Sequence, residues 1–226
     1  MARTWKVSRL QAPMHKLSLI GMSGSGKTFW SNKLETIGYR LVSCDDRIEQ
    51  KLSPELASYG HRGTGVVAAW MGWPDSARYR EREQKYLNSE IAVMREILDE
   101  LGGCPEEKVV VDTTGSVIYT GEEVCRKLRH RTTVVYLEAS REEQQTLIQR
   151  YLEDPKPVLW SEHFQLHEGE TPREAVARCY PQLIEHRRTM YENLAHRVVP
   201  ISELRAGHLG GDGFLHILHQ KAHRAR

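Results

Sequence analysis

Gly21-Met22-Ser23-Gly24-Ser25-Gly26-Lys27-Thr28 is the segment whose residue types and spacing point most directly to chemistry. It fits G-x-x-x-x-G-K-[ST], in which the glycines let backbone N–H groups turn inward around phosphate oxygens. A helix starting at the loop's end adds the positive end of its dipole. In such a loop Lys27 reaches the β- and γ-phosphates, and the Thr28 hydroxyl ligates Mg2+. An apolar strand, Leu17 to Ile20, precedes the segment, and a helix, Thr28 to Ile37, follows it. That context separates a phosphate loop from a chance glycine-rich turn. Gly21, Ser23, Gly24, Ser25, Gly26, Lys27 and Thr28 are therefore the expected contacts of a purine nucleoside triphosphate, with ATP the first choice.

Four charged residues fall where a parallel sheet would hold a second substrate or a metal. Asp45 lies just beyond the strand Tyr39 to Ser43, at the edge where open parallel sheets bind ligands. It can orient an acceptor hydroxyl and take its proton, or it can cap a helix. Asp46 suits the plain cap better. Asp112 ends the strand Lys108 to Asp112, the usual setting for a carboxylate near Mg2+. Arg80 extends backward the stripe Leu87, Ile91, Met94, Leu98, Leu101, and Arg187 lies on the stripe Val176, Tyr180, Leu183, Tyr191, Leu194. A core-facing arginine needs a partner. That partner is an anionic substrate gripped bidentately, a protein carboxylate, or water reached by the head group.

The elements that must position these groups alternate. After the second strand, a short helix runs from Cys44 to Leu52. Residues 53 to 75 read as short helices and turns, and a long helix runs from about Ser76 to Leu101, ended by Gly102-Gly103. The fourth strand is Thr132 to Leu137, with helices at Glu122 to Leu128 and Arg141 to Leu152. Thr171-Pro172-Arg173-Glu174 opens a helix that reaches about Ala195, with Thr171 and Glu174 forming a capping box. A fifth strand begins at Val198-Val199, and a last helix covers Gly213 to Lys221. Alternating strands and helices imply a three-layer α/β/α fold on a five-stranded parallel sheet. The chain reads as one domain over 1–226, with residues 53–102 as an acceptor-binding helical segment. Residues 154–171 are too long for an ordinary loop and read as an inserted lid.

Composition excludes several classes. The 226 residues are 39% hydrophobic, and no apolar run approaches the roughly 20 residues that span a bilayer. Thirty-two basic against 30 acidic residues give a net charge of +2, which does not suit binding to a nucleic-acid backbone. Met1 to Lys16 is basic without an apolar stretch, so it reads as an extra strand or a frayed arm and not a secretory signal. Cys44, Cys104, Cys125 and Cys179 form no C-x-x-C pair, which indicates neither zinc nor a disulfide framework and fits a reducing cytoplasm. His216, His219 and His223 fall at helical spacing and read as a solvated face, as the basic end Lys221 to Arg226 reads as a tail.

In order along the chain, several segments resemble the shikimate kinase family, within the nucleoside monophosphate kinase-like group. Ser43-Cys44-Asp45-Asp46-Arg47-Ile48-Glu49 resembles its D-S-D-x-x-I-E, and Tyr79-Arg80-Glu81-Arg82-Glu83 its F-R-x-x-E. Val110 to Ser116 sits at its strand and T-G-G-G, Lys156-Pro157-Val158-Leu159 at its lid R-P-L-L, and Arg187 to Tyr191 at its R-x-P-L-Y. The resemblance implies that Asp45 contacts the acceptor hydroxyl, that Arg80 and Arg187 hold a substrate carboxylate, and that Gly115 belongs to the acceptor loop. It further implies that Lys156 closes over the phosphates and that Arg150 lies against the adenine.

The pattern breaks in three places. Ser43 replaces the first aspartate, so Asp112 is expected to take over water-mediated support of Mg2+. Thr114-Gly115-Ser116 stands at the triple glycine, so side chains are expected to project where the acceptor ring would lie. The lid carries lysine in place of arginine, a point charge instead of a fork. The expected activity is transfer of the γ-phosphate of Mg-ATP to a hydroxyl of a small, carboxylate-bearing molecule. Lys27, Asp45 and Lys156 are the catalytic candidates and Thr28 and Asp112 the metal ligands. The expected partner is a small anionic acceptor, with no nucleic acid and no membrane, for a cytoplasmic monomer or weak dimer. Two alternatives stand beside it: a nucleotide or nucleoside kinase, and a nucleotide-binding regulatory module with little turnover.

Overall fold

A computed structural model describes residues 14–60, 63–103, 106–154, 156–205 and 209–221. Residues 1–13 of the basic N-terminal segment, Cys104, His223 and most of the basic tail lie outside the described residues.

Five parallel strands form one sheet in the order β2-β3-β1-β4-β5. They are β1 Lys16–Ile20, β2 Arg40–Ser43, β3 Val109–Asp112, β4 Thr133–Glu138 and β5 Arg197–Pro200. Every residue of β3 is buried, and β1 and β4 are nearly so, as strands covered by helices on both faces must be. β1 is central, with β3 and β4 on its two sides, so the loop after it leaves the sheet where the winding direction reverses. That crevice is where open α/β sheets hold ligands. Among the described residues, no helix is long and apolar enough to cross a membrane.

The helices are α1 Lys27–Glu35, α2 Cys44–Lys51, α3 Ser53–Leu56, α4 Thr64–Met71, α5 Tyr79–Gly103, α6 Glu122–Arg131, α7 Arg141–Glu153, α8 Pro172–Leu194, α9 Ile201–Arg205 and α10 Gly211–Gln220. Local chemistry sets several starts. Capping boxes at Ser140/Glu143 and Thr171/Glu174 open α7 and α8, and Pro172 takes the first turn of α8. α1 docks on α10 through Trp30 stacked on Phe214, with ring centroids 4.9 Å apart.

Three sequence expectations are corrected. The cap of α2 is Ser43, whose hydroxyl accepts from Asp46 N at 3.2 Å, so neither Asp46 nor Asp45 has that task. α9, between β5 and the last helix, is an additional element. Most consequential is the phase of α5. Its buried residues are Tyr79, Glu83, Tyr86, Glu90, Val93, Met94, Ile97, Leu98 and Leu101, whereas Leu87 and Ile91 are only partly covered. A stripe drawn through Leu87 and Ile91 is rotated by about one residue, roughly 100°. The rotation moves Arg80 off the core face and puts Tyr79 and Glu83 on it.

Residues 156–170 form no helix or strand, but much of the segment is fastened down. Trp160 is 1% exposed and packs among Tyr151, Tyr180 and Phe164. Tyr79 Oη donates to Val158 O at 2.6 Å and accepts from Trp160 N at 3.2 Å. Ser161, at φ +50°, donates its N–H to Glu83 Oε1 at 2.7 Å, and its carbonyl accepts from Arg80 Nη1.

Candidate active site

The loop after β1 needs its glycines. Gly21, Gly24 and Gly26 have φ of +143°, +80° and +95°, a region that side chains rarely adopt. A Cβ on Gly21 would come 2.8 Å from Leu137 O, and one on Gly24 would come 2.9 Å from Leu147 Cδ2. The following helix begins at Lys27. Lys27 Nζ, buried, donates to Gly21 O at 2.9 Å and Met22 O at 3.1 Å, folding over the loop. Burial lowers its pKa, and the carboxylates of Asp112 and Asp45 pull it back up. Ser25 Oγ is buried with no hydrogen-bond partner. An inward-facing loop with an orphaned hydroxyl and a folded-back lysine fits a phosphate chain, whose oxygens can take those donors.

Asp112 ends β3 and is 4% exposed. Its Oδ1 has no hydrogen-bond partner. Burial raises its pKa, opposed by Lys27 and by a hydrogen-bonding contact from Thr28. An orphaned carboxylate oxygen beside a threonine hydroxyl is a donor set that suits Mg2+. Asp45, in the first turn of α2, is half-buried, and desolvation pushes its pKa up to about 6 against the attraction of Lys27.

A cavity of about 280 Å3 joins these groups: Ser23, Gly24, Gly26, Lys27, Thr28, Asp45, Thr64, Tyr86, Thr114, Gly115, Lys156 and Arg187 are among its lining. Gly115 sits at the junction of its two halves. A Cβ there would lie 3.5 Å from Ser23 N and 3.6 Å from Arg187 Nη1. Arg187 is 2% exposed. It donates to Gly115 O at 3.3 Å and Leu159 O at 2.7 Å, and its Cζ lies 5.2 Å from the Tyr119 ring centroid. No carboxylate lies within ion-pair distance of it among the described residues, and its Nε has no acceptor.

The two arginines expected to act together are therefore not alike. Arg80 is exposed, outside this cavity, and is held by Glu83 at 3.3 Å and by Ser161 O. The expectation that it faces the core fails because α5 presents Tyr79 there instead. Lys156 lines the cavity while paired to Asp154 at 2.6 Å. Arg150 lines an adjoining hollow of about 220 Å3 that shares Ser23, Gly24 and Lys156 with the cavity.

Ser116 does not line the cavity as expected, and Thr114 does so with its hydroxyl directed away. Both are buried and turned back onto Glu90 of α5, which accepts from Thr114 Oγ1 and, at 2.6 Å, from Ser116 Oγ. Glu90 escaped notice because it sits on the apolar face of a helix, between Tyr86 and Met94 at four-residue steps. With the stripe in its true phase, a glutamate on it is a visible anomaly. Tyr86 is both buried and part of the cavity lining.

A phosphate loop on the central strand, facing a carboxylate and a buried, unpaired arginine across one cavity, is the layout of a two-substrate P-loop kinase. A family model described as shikimate kinase matches residues 75–209. The shikimate kinase of Aeromonas salmonicida is 27% identical over 199 residues, 86% of this chain and 92% of that protein. That of Buchnera aphidicola is 26% identical over 179 residues, 78% of this chain and 81% of its own. Among solved structures, the shikimate kinase from Acinetobacter baumannii in complex with shikimate superposes with a TM-score of 0.56 at 22% identity, over 90% of both chains. The one from Bacteroides thetaiotaomicron gives 0.58 at 16% identity, over 91% of this chain and 96% of that one; these likenesses show a shared fold. The chain belongs to the shikimate kinase family, ATP-dependent phosphotransferases that act on a hydroxyl group.

Proposed function

We propose that this chain binds Mg-ATP on residues 21–28 and transfers the γ-phosphoryl group to a hydroxyl of a small anionic acceptor bound between Asp45 and Arg187. The observation that carries this reading is Arg187, a buried guanidinium open to the cavity with backbone carbonyls as its acceptors and no carboxylate beside it. Burying a cation unpaired is costly, and an acceptor carboxylate supplies the missing partner. A cyclic hydroxy-carboxylate is the first acceptor to test, because a shikimate-bound relative shares the fold.

In this reading Asp45 orients the acceptor hydroxyl and takes its proton as the acceptor oxygen bonds to the γ-phosphorus and the bond to ADP breaks. Lys27, the loop amides and Lys156 stabilise the charge on the transferring group. Thr28 and Asp112 would hold Mg2+, which when bound neutralises phosphate charge. Arg150 contributes to the nucleotide side from the adjoining hollow. Arg80 is assigned to the segment 156–161 and not to the acceptor, on its exposure and its bonds to Glu83 and Ser161. That segment is the closing part of a lid over 154–171, within one kinase domain whose residues 53–102 carry the acceptor side. The near-balance of charge supports a small-molecule partner over a nucleic-acid backbone, and the scattered cysteines support a reducing cytoplasm, with a monomer or weak dimer as the proposed state.

The test is an ADP-release assay against shikimate, gluconate and nucleoside monophosphates. Stimulation by a hydroxy-carboxylate, lost in Arg187→Met, is the expected result. Stimulation by a nucleoside monophosphate alone would make the chain a nucleotide kinase. Tight ATP binding without stimulation by any of them would make it a regulatory module.

A further inference from the structure

Glu90 is the buried carboxylate that the proposed chemistry leaves unused. It is fully buried, and no lysine or arginine lies within ion-pair distance among the described residues. Both its oxygens are taken, one by the Thr114 hydroxyl and one by the Ser116 hydroxyl at 2.6 Å. Those hydroxyls stand 3.2 Å apart, and Ser116 N donates to Thr114 Oγ1 at 3.1 Å. On the other face of the same loop, Gly115 O accepts from Tyr191 Oη and from Arg187 Nη1. α5 thus holds the loop by its hydroxyls and α8 holds it by its carbonyl.

Stability is a poor reason for this arrangement. Hydroxyls compensate a buried carboxylate only partly, and burial pushes Glu90 up to about 7 even with the bonds from Ser116 and Thr114, Asp45 adding to the rise. Apolar side chains of similar size at 90, 114 and 116 would fill the same space with no charge to desolvate. The arrangement secures geometry instead. The Gly115 peptide stands between the Ser23 backbone and the Arg187 head, where the phosphate and acceptor halves of the cavity meet.

We propose that Glu90 is a positioning residue for the acceptor: by holding the Thr114 and Ser116 hydroxyls it fixes the Gly115 wall, and so governs acceptor binding and not nucleotide binding. The proposal rests on the acceptor site lying between Asp45 and Arg187. It also implies that Thr114 and Ser116 stand in for bare glycine because Glu90 draws their polar ends out of the cavity.

The test compares Glu90→Gln, Glu90→Leu, Thr114→Ala/Ser116→Ala and the combined Glu90→Leu/Thr114→Ala/Ser116→Ala protein. Two readouts are used: the KM of each substrate, and amide hydrogen exchange at residues 113–117. Glu90→Leu is expected to raise acceptor KM and loop exchange about tenfold, with ATP KM within about twofold and exchange at residues 21–28 unchanged. Glu90→Gln keeps the shape and one accepting oxygen, so its effect is smaller on both readouts. The combined variant should be no worse than the worse of its two parents, because all three remove one shared interaction. Unchanged loop exchange in Glu90→Gln and Glu90→Leu overturns the proposal, as do ATP and acceptor KM rising together. Hydrogen exchange needs no acceptor, so it reports on Glu90 even where no acceptor is turned over, an outcome that counts against the proposed function instead.

Discussion

Ser43 and Asp112 are register partners across β2 and β3, so at this point of the sheet edge the carboxylate stands on β3 alone. Asp112 Oδ1 is buried there without a hydrogen-bond partner. If Asp112 supports Mg2+, Asp112→Asn raises the Mg2+ concentration for half-maximal turnover by at least about tenfold, a loss expected when a charged oxygen near a hard cation becomes an amide. Ser43→Asp restores part of it in the Asp112→Asn background. A magnesium titration that is the same in Asp112→Asn and the parent protein would sink this assignment.

Asp45 ties activity and stability to pH in opposite directions. Its folded pKa of about 6 lies above the ordinary 3.8. An acceptor-orienting carboxylate works ionised, so kcat/KM for the acceptor should fall as pH drops through about 6. Stability runs the other way. Between those two values the folded chain holds the proton more tightly than the unfolded chain, so stability declines as pH rises through this window and the loss is complete above it. Asp45→Asn escapes that loss. It should abolish most turnover yet melt higher at pH 8, by at most about 3 kcal/mol. Thermal melts at pH 8 that show Asp45→Asn less stable than the parent would contradict the desolvation argument.

Arg187 and Arg80 should separate sharply. Arg187→Met is expected to raise acceptor KM on the order of 100-fold, the value of a charge-assisted pair in a buried site. Arg187→Lys keeps the charge and loses the fork, so it recovers little. Arg80→Ala, at an exposed position already engaged by Glu83 and Ser161, should change acceptor KM by less than about threefold. Equal losses in the two alanine or methionine variants, measured side by side, would return Arg80 to the acceptor site.

Tyr79→Phe removes one hydroxyl that serves both Val158 O and Trp160 N. Leaving those buried groups without a partner costs about 2 kcal/mol. Denaturant unfolding should register that loss. Hydrolysis of ATP without acceptor should also rise, because a loosened segment 156–161 admits water to the cavity. An unchanged ratio of hydrolysis to transfer would show that the segment does not exclude water.

How much of this was legible beforehand depended on the scale of the signal. The phosphate loop declares itself in eight consecutive residues, because backbone geometry there permits so few side chains. The alternation of elements follows from apolar strands and caps such as Thr171/Glu174. What stayed hidden was contact between distant segments. A one-residue error in the phase of α5 was enough to place Arg80 inside and to pass over Glu83 and Glu90. The turning of Thr114 and Ser116 toward Glu90 joins residues 24 and 26 positions apart, and no local pattern encodes it. Arg187 was readable because its stripe is flanked by Leu183 and Tyr191, both fully buried, so its phase was not in question.

The fastening of residues 158–161 has a consequence for how the two ligands meet. Leu159 O is held by Arg187, and Val158 and Ser161 are held by Tyr79 and Glu83 of α5. An acceptor that engages Arg187 therefore draws on the same set of bonds as a nucleotide that draws Lys156 inward from the start of that segment. Thermodynamic linkage then requires reciprocity: whatever factor ATP imposes on acceptor affinity, the acceptor imposes on ATP. Titrating either ligand in the absence and the saturating presence of the other yields that factor twice, and a value other than one is the signature of a strap shared by both halves of the site.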